Sequence, residues 1–168
     1  MSEVVLGKPV LNPSPTYRYV RTVIDSLTHP SAIALLECWR SLEERGGMRM
    51  GRDIPSRALA KLLPYILITE PVGAWDDARI RLAGTALMER FGRDIAGELA
   101  SHVYVNDPNG ARLLLRAAQR AVETREPGLI DLRIRMDEIE VFHLETVLLP
   151  IWSPDASASW SLVGAFRF

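Results

Sequence analysis

The side chains best placed for chemistry are His143 and Glu145, two residues apart in a stretch that alternates apolar and polar residues. On a strand that spacing sends both to one face of the sheet. There they could work as an acid–base pair, or supply the few polar contacts that orient a ligand in an apolar cavity. A buried pair of this kind would titrate abnormally. The plainer reading is local hydrogen bonding, or a register one residue out, which would turn every side chain of the strand over.

Other chemistry has little to build on. Cys38 is the single cysteine, on an expected helix with no histidine near it in sequence; a small apolar packing role suits it better than a nucleophile's. The histidines at 29, 102 and 143 show no metal-ligand spacing, and neither CxxC nor HExxH occurs. A haem needs one axial histidine, for which His102 and His143 are the formal candidates. No GxxxxGK[ST] or GxGxxG pattern is present to cradle a phosphate. No catalytic residue, no metal ligand and no named cofactor is therefore assigned.

Composition narrows the class of protein. The chain has 168 residues, 48% of them hydrophobic and 24% charged, which fits one globular domain rather than a disordered chain. A formal net charge of −1 provides no field to draw in nucleic acid or an anionic membrane, so neither is an expected partner. The start of the chain lacks the basic residues and long apolar run of a secretion signal, and no apolar run reaches the about 18 residues of a membrane span. With a single cysteine no intrachain disulfide is possible, so a cytoplasmic setting follows by elimination.

The elements that must position these side chains are legible from period and punctuation. Residues 1–15 read as an irregular arm broken by Pro9, Pro13 and Pro15. Thr16 to Leu27, with Val20, Val23, Ile24 and Leu27 at helical spacing, predicts a first helix. A second starts near Ser31 as N-cap and stops at Gly46–Gly47. After a connector, residues 65–70 and 78–83 predict two strands joined as a hairpin. Thr85 is placed to cap a short helix, and a loop runs from Gly92 to Asn106. Asp107 as N-cap and Pro108 at the first position open the longest helix, with Leu114 on its inward stripe. Strands follow at 128–136, about 140–149 and 160–168. A tight turn at Asp137–Glu138 sets Arg135 opposite Glu140, Leu132 opposite His143 and Ile130 opposite Glu145. That register puts His143, Glu145 and Leu132 on the apolar face. The fold class is α+β: a five-stranded antiparallel sheet with helices on one face.

Three groups of residues make this order more specific. They are Trp39 with the glycine-rich helix end and Ile54-Pro-Ser-Arg57; Arg81-Leu-Ala-Gly-Thr85 with Phe91-Gly-Arg-Asp-Ile95 and Gly97; and Glu145 to Pro150 with Leu162-Val-Gly-Ala165. On these the chain resembles a PAS domain, and more narrowly the PAS_5 family, common in alphaproteobacteria. The resemblance implies strand order 2-1-5-4-3, a PAS core over 48–168 and an N-terminal helical cap over 16–47. It also implies a small cavity between sheet and helices, with Tyr104 near its edge beside His143, Glu145, Leu132 and Leu114. Arg81, Gly84, Thr85, Gly92, Arg93, Asp94 and Gly97 would then be motif residues that shape the loop, Arg93 and Asp94 by bonding to its backbone. The region from Gly92 to Asn106 has no cysteine, which speaks against flavin-adduct photochemistry of the light-sensing PAS type.

The function implied is a non-enzymatic sensory or regulatory module. It would bind a small molecule or a protein partner, signal in trans because no kinase, cyclase or DNA-binding segment is read in the chain, and form a homodimer. An alternative is a small cone-shaped α+β enzyme, an isomerase or dehydratase using His143 as acid–base group. A third is an interaction module whose core holds no ligand.

Overall fold

A computed structural model of the protein describes residues 15–168; the arm expected over residues 1–15 falls, but for its last residue, outside them. In chain order the elements are β1 (Tyr17–Val23), α1 (Pro30–Glu43), β2 (Ile66–Val72), β3 (Asp77–Ala83), α2 (Thr85–Phe91), α3 (Ala100–Val103), α4 (Pro108–Thr124), β4 (Gly128–Met136), β5 (Ile139–Trp152) and β6 (Ser159–Arg167). The strands form one antiparallel sheet ordered β1-β4-β5-β6-β2-β3, with six strands rather than the five expected; the added one, β1, lies beside β4.

The difference arises near the N-terminus. The segment read as the first cap helix is β1, which lies along β4 with Tyr17 opposite Met136 and Val23 opposite Ile130. Tyr17, Tyr19, Val20, Thr22 and Val23 are aromatic or β-branched, types that fit a pleated surface. A helix this short gains little on its own in water, whereas the open edge of β4 offers a ladder of backbone hydrogen bonds. Of the expected helical cap only α1 is helical. Its N-cap is His29 rather than Ser31: His29 Nδ1 accepts from the Ser31 N–H at 3.1 Å, and Pro30 takes the first helical position. The proton must then sit on Nε2, which donates to the Arg167 carbonyl at 3.1 Å.

Because alternate residues of a strand point opposite ways, the sheet carries a core on each face. On one face α1 packs Ala32, Leu35, Leu36 and Trp39 against Ile66, Ile68, Val147, Leu149, Ile151, Leu162 and Phe166. Met48, Ile54 and Leu59 of the connector are fully buried in the same core. Trp39 spends its one polar group there too, donating to the Pro150 carbonyl at 2.8 Å. On the other face Leu87, Ile95 and Ala118 pack over Leu67, Ile130, Leu148 and Val163. Helices thus cover both faces, not one.

Two local features aim the elements on that second face. Asp107 caps α4, accepting from the Gly110 N–H at 3.1 Å, with Pro108 behind it. Gly84, not Thr85, is the N-cap of α2 and bonds through no side chain. A Cβ on Gly84 would stand 2.2 Å from the Leu63 carbonyl oxygen and 2.3 Å from that of Pro64. Close backbone approach therefore dictates this glycine, whereas Gly92 closes α2 with a left-handed φ of 71°. No helix among the described residues is long and apolar enough to cross a membrane.

Candidate ligand-binding site

Between α4, α2 and the sheet lies a cavity of about 320 Å³. Its floor is Leu132 and Ile134 of β4, Phe142, Leu144 and Thr146 of β5, and Val163 and Ala165 of β6. Its roof is Leu113 and Leu114 of α4 with Leu87 and Phe91 of α2. The first turn of α4 presents only Gly110 and Ala111 inward, so Leu132, Ile134 and Phe142 beneath it stay half-buried. The cavity's size and apolar lining fall in the range of small-molecule sites, about 300–1,000 Å³.

Besides Thr146 on the floor, the polar lining residues are Arg21, Arg90, Tyr104 and Asp107. Arg21 of β1 forms an ion pair with Asp107, tying the edge strand to the cap of α4. Arg90 lies over the Phe142 ring, 5.6 Å from its centroid, and Arg167 lies over the same ring at 4.9 Å. Burial lowers the Arg90 pKa, the nearby Tyr104 works against that, and the positive charge of Arg167 lowers it further. A guanidinium keeps its proton regardless. Tyr104 meets Phe91 edge to face with ring centroids 5.6 Å apart. Burial pushes its phenol pKa up, Arg90 opposes and Asp107 adds, so the hydroxyl is neutral and able to donate.

Of the residues expected to face a ligand, Tyr104, Leu114 and Leu132 line this cavity. His143 and Glu145 do not; they point to the opposite face of the sheet. The turn does set Arg135 opposite Glu140, as expected, but a bulge between Ile134 and Arg135 shifts the ladder. Beyond it Arg133 is opposite His143, Leu132 opposite Leu144 and Asp131 opposite Glu145. One inserted residue reverses every later side chain.

On its own face each makes structural contacts. His143 Nε2 meets Asp131 Oδ1 at 2.5 Å, and its ring stacks on Phe168 with centroids 4.1 Å apart. Burial raises the Asp131 carboxyl, but its bonds to His143 and Arg133 outweigh that and hold it below the usual range. Glu145, 2% exposed, accepts from the Thr28 N–H at 2.9 and 3.1 Å, the Thr28 hydroxyl at 2.7 Å and the His29 N–H at 2.8 Å. Burial again raises its pKa, and these donors more than reverse it. The carboxylate anchors the turn into α1, close to the positive end of the helix dipole. Neither residue can serve as an acid–base group inside the cavity from where it stands.

The motif residues shape the frame rather than the lining. Arg81 pairs with Glu70 and lies 5.8 Å from the Trp160 ring centroid. Asp94 accepts from the Ala96 N–H at 2.9 Å, a backbone lock of the kind expected. Arg93 instead bonds a side chain, Glu98, at 2.8 Å. Gly97 donates to the Ile80 carbonyl at 2.7 Å and accepts from Arg79 at 2.8 Å, which seats the loop beside β3. Cys38 is half-buried on α1; burial, then the charge of Asp53, push its thiol pKa up. Among the described residues no three His, Cys, Asp or Glu side chains cluster so as to hold a metal ion.

Sequence reading missed Arg21, Arg90 and Phe142. Leu87, Arg90 and Phe91 stand at i, i+3 and i+4 of one helix, a spacing that already puts Arg90 on the inward stripe. Arg21 shares a strand face with Tyr19 and Val23, opposite Leu132 of β4, but only a strand reading of the segment would have placed it there. Phe142 was hidden by the bulge. The family model described as PAS domain, PAS_5, matches residues 27–167. No curated protein and no solved structure gives a significant match.

Proposed function

The chain belongs to the PAS_5 family of PAS domains, and from that premise we propose that it is a non-enzymatic module that binds a small molecule and signals to a separate protein or to a second copy of itself. The observation that carries this reading is the cavity of about 320 Å³, lined mainly by apolar side chains with a few polar ones among them. Such a lining favours binding and orientation over turnover. A route outward exists in the geometry. Arg21 and Asp107 both line the cavity and join β1 to the first turn of α4. A molecule inside touches both, and so biases the seating of an edge strand whose Tyr17 and Tyr19 are 54% exposed. The proposed setting is the cytoplasm and the proposed assembly a homodimer.

The test is native mass spectrometry of the protein purified from its own cells, beside a Leu132→Trp variant that fills the cavity. A retained small molecule in the wild type and none in the variant is the expected result. A bare mass for both, with no change in oligomeric state or partner affinity on filling the cavity, would leave the sensing proposal without support.

A further inference from the structure

We infer that the cavity takes an amphipathic carboxylate, its apolar body inside and its head held between Arg90 and Arg167. This deepens the ligand-binding reading above and rests on it. Three observations converge on that choice. The lining is aliphatic and aromatic, so it rewards an apolar body. A volume of about 320 Å³ is the liquid volume of about ten waters, room for a ligand of ten or so non-hydrogen atoms.

The charged lining is cationic in excess. Asp107 is the carboxylate among the lining residues, and Arg21 holds it. Arg90 lines the cavity; Arg167 lies outside the lining but shares the lining Phe142 ring with it, the two at 5.6 and 4.9 Å from the centroid, and neither forms an ion pair among the described residues. Both lie near one ring, the charge of Arg167 acts unfavourably on Arg90, and an anion reaching both offsets that repulsion. Stacking on an aromatic ring leaves the in-plane N–H groups of a guanidinium free to grip a carboxylate with two bonds. Tyr104, also in the lining, adds a neutral hydroxyl donor. A cationic head would add to the charge of the two arginines, and an uncharged one would leave their repulsion in place.

The experiment is isothermal titration calorimetry of the full chain with decanoate, decanol and decyltrimethylammonium. Decanoate should bind at least about tenfold more tightly than decanol, the worth of one or two charge-assisted hydrogen bonds. The double variant Arg90→Gln with Arg167→Gln should lose that preference, binding decanoate and decanol alike. A wild-type salt series needs no variant to fold: between 50 and 500 mM salt, decanoate should weaken by about threefold or more while decanol does not. Equal binding of decanoate and decanol, abolished by Leu132→Trp, would overturn the anionic head and leave the cavity standing. Binding of none of the probes, or binding that Leu132→Trp leaves intact, would remove both this inference and the cavity reading beneath it.

Discussion

Replacing Glu145 by glutamine separates an anchoring role from a ligand-binding one. Three donors, the Thr28 N–H and hydroxyl and the His29 N–H, converge on this buried carboxylate. Hydrogen bonds to a charged group contribute about 1.5–3 kcal/mol each. Glutamine keeps one acceptor oxygen but turns an NH₂ donor toward the other N–H groups, so the loss is about 2–3 kcal/mol. At about 2–4 °C per kcal/mol for a chain of this size, Tm should fall by about 4–12 °C at pH 7. The pH dependence has a definite sign. The folded pKa of Glu145 lies below its ordinary value. Its contribution is therefore complete above the unfolded pKa of about 4.3 and disappears as pH falls through the lower folded value. Asp131 and Asp53, also held low, weaken both proteins alike in acid, so the readout is the gap between them. Thermal melts followed by circular dichroism from pH 7 to 3 should show that gap closing below about pH 4. A variant within about 1 °C of wild type at pH 7, or a gap that ignores pH, would refute the reasoning. A variant of wild-type stability that no longer binds decanoate would return Glu145 to the cavity.

Gly84→Ala should cost about 2–3 kcal/mol in urea unfolding, because its Cβ meets two backbone oxygens that cannot swing away. Gly92→Ala, with open space around its Cβ but a φ of 71°, should cost only about 1–2 kcal/mol; the reverse ranking would contradict both accounts. Arg21→Ala breaks a partly exposed ion pair and should change global stability by about 1 kcal/mol or less. Amide exchange in β1 should nonetheless quicken while β5 and β6 keep their protection, and uniform exchange across the sheet would show that the pair does not fasten this edge. Cys38 should react with Ellman's reagent at pH 7.5 several-fold more slowly than free cysteine, since burial and Asp53 favour the thiol over the thiolate. A rate equal to that of free cysteine would count against its packing role.

How far the chain could be read in advance depended on whether the signal was local. Asp107-Pro108 announces α4 because a cap and a preset φ act within one turn. The apolar stripe Ala32, Leu35, Leu36 and Trp39 marks α1 in the same way. Where two periods overlapped, the local signal misled: Thr16 to Leu27 carries helical spacing together with strand-forming residues, and the free edge of β4 settled the matter. Leu114 and Leu132 were legible as inward residues, and Tyr104 came with the resemblance.

From its own order of residues this chain specifies an α+β domain, the long helix over the sheet, and the glycine-bearing loop after α2, because caps, turns and apolar periods need only near neighbours. Tertiary structure decided which side of the sheet His143 and Glu145 occupy and which arginines, Arg21 and Arg90, line the cavity. The reason is the bulge near Ile134: a strand repeats every two residues, so one added residue exchanges inside for outside, and no pattern within the strand records it.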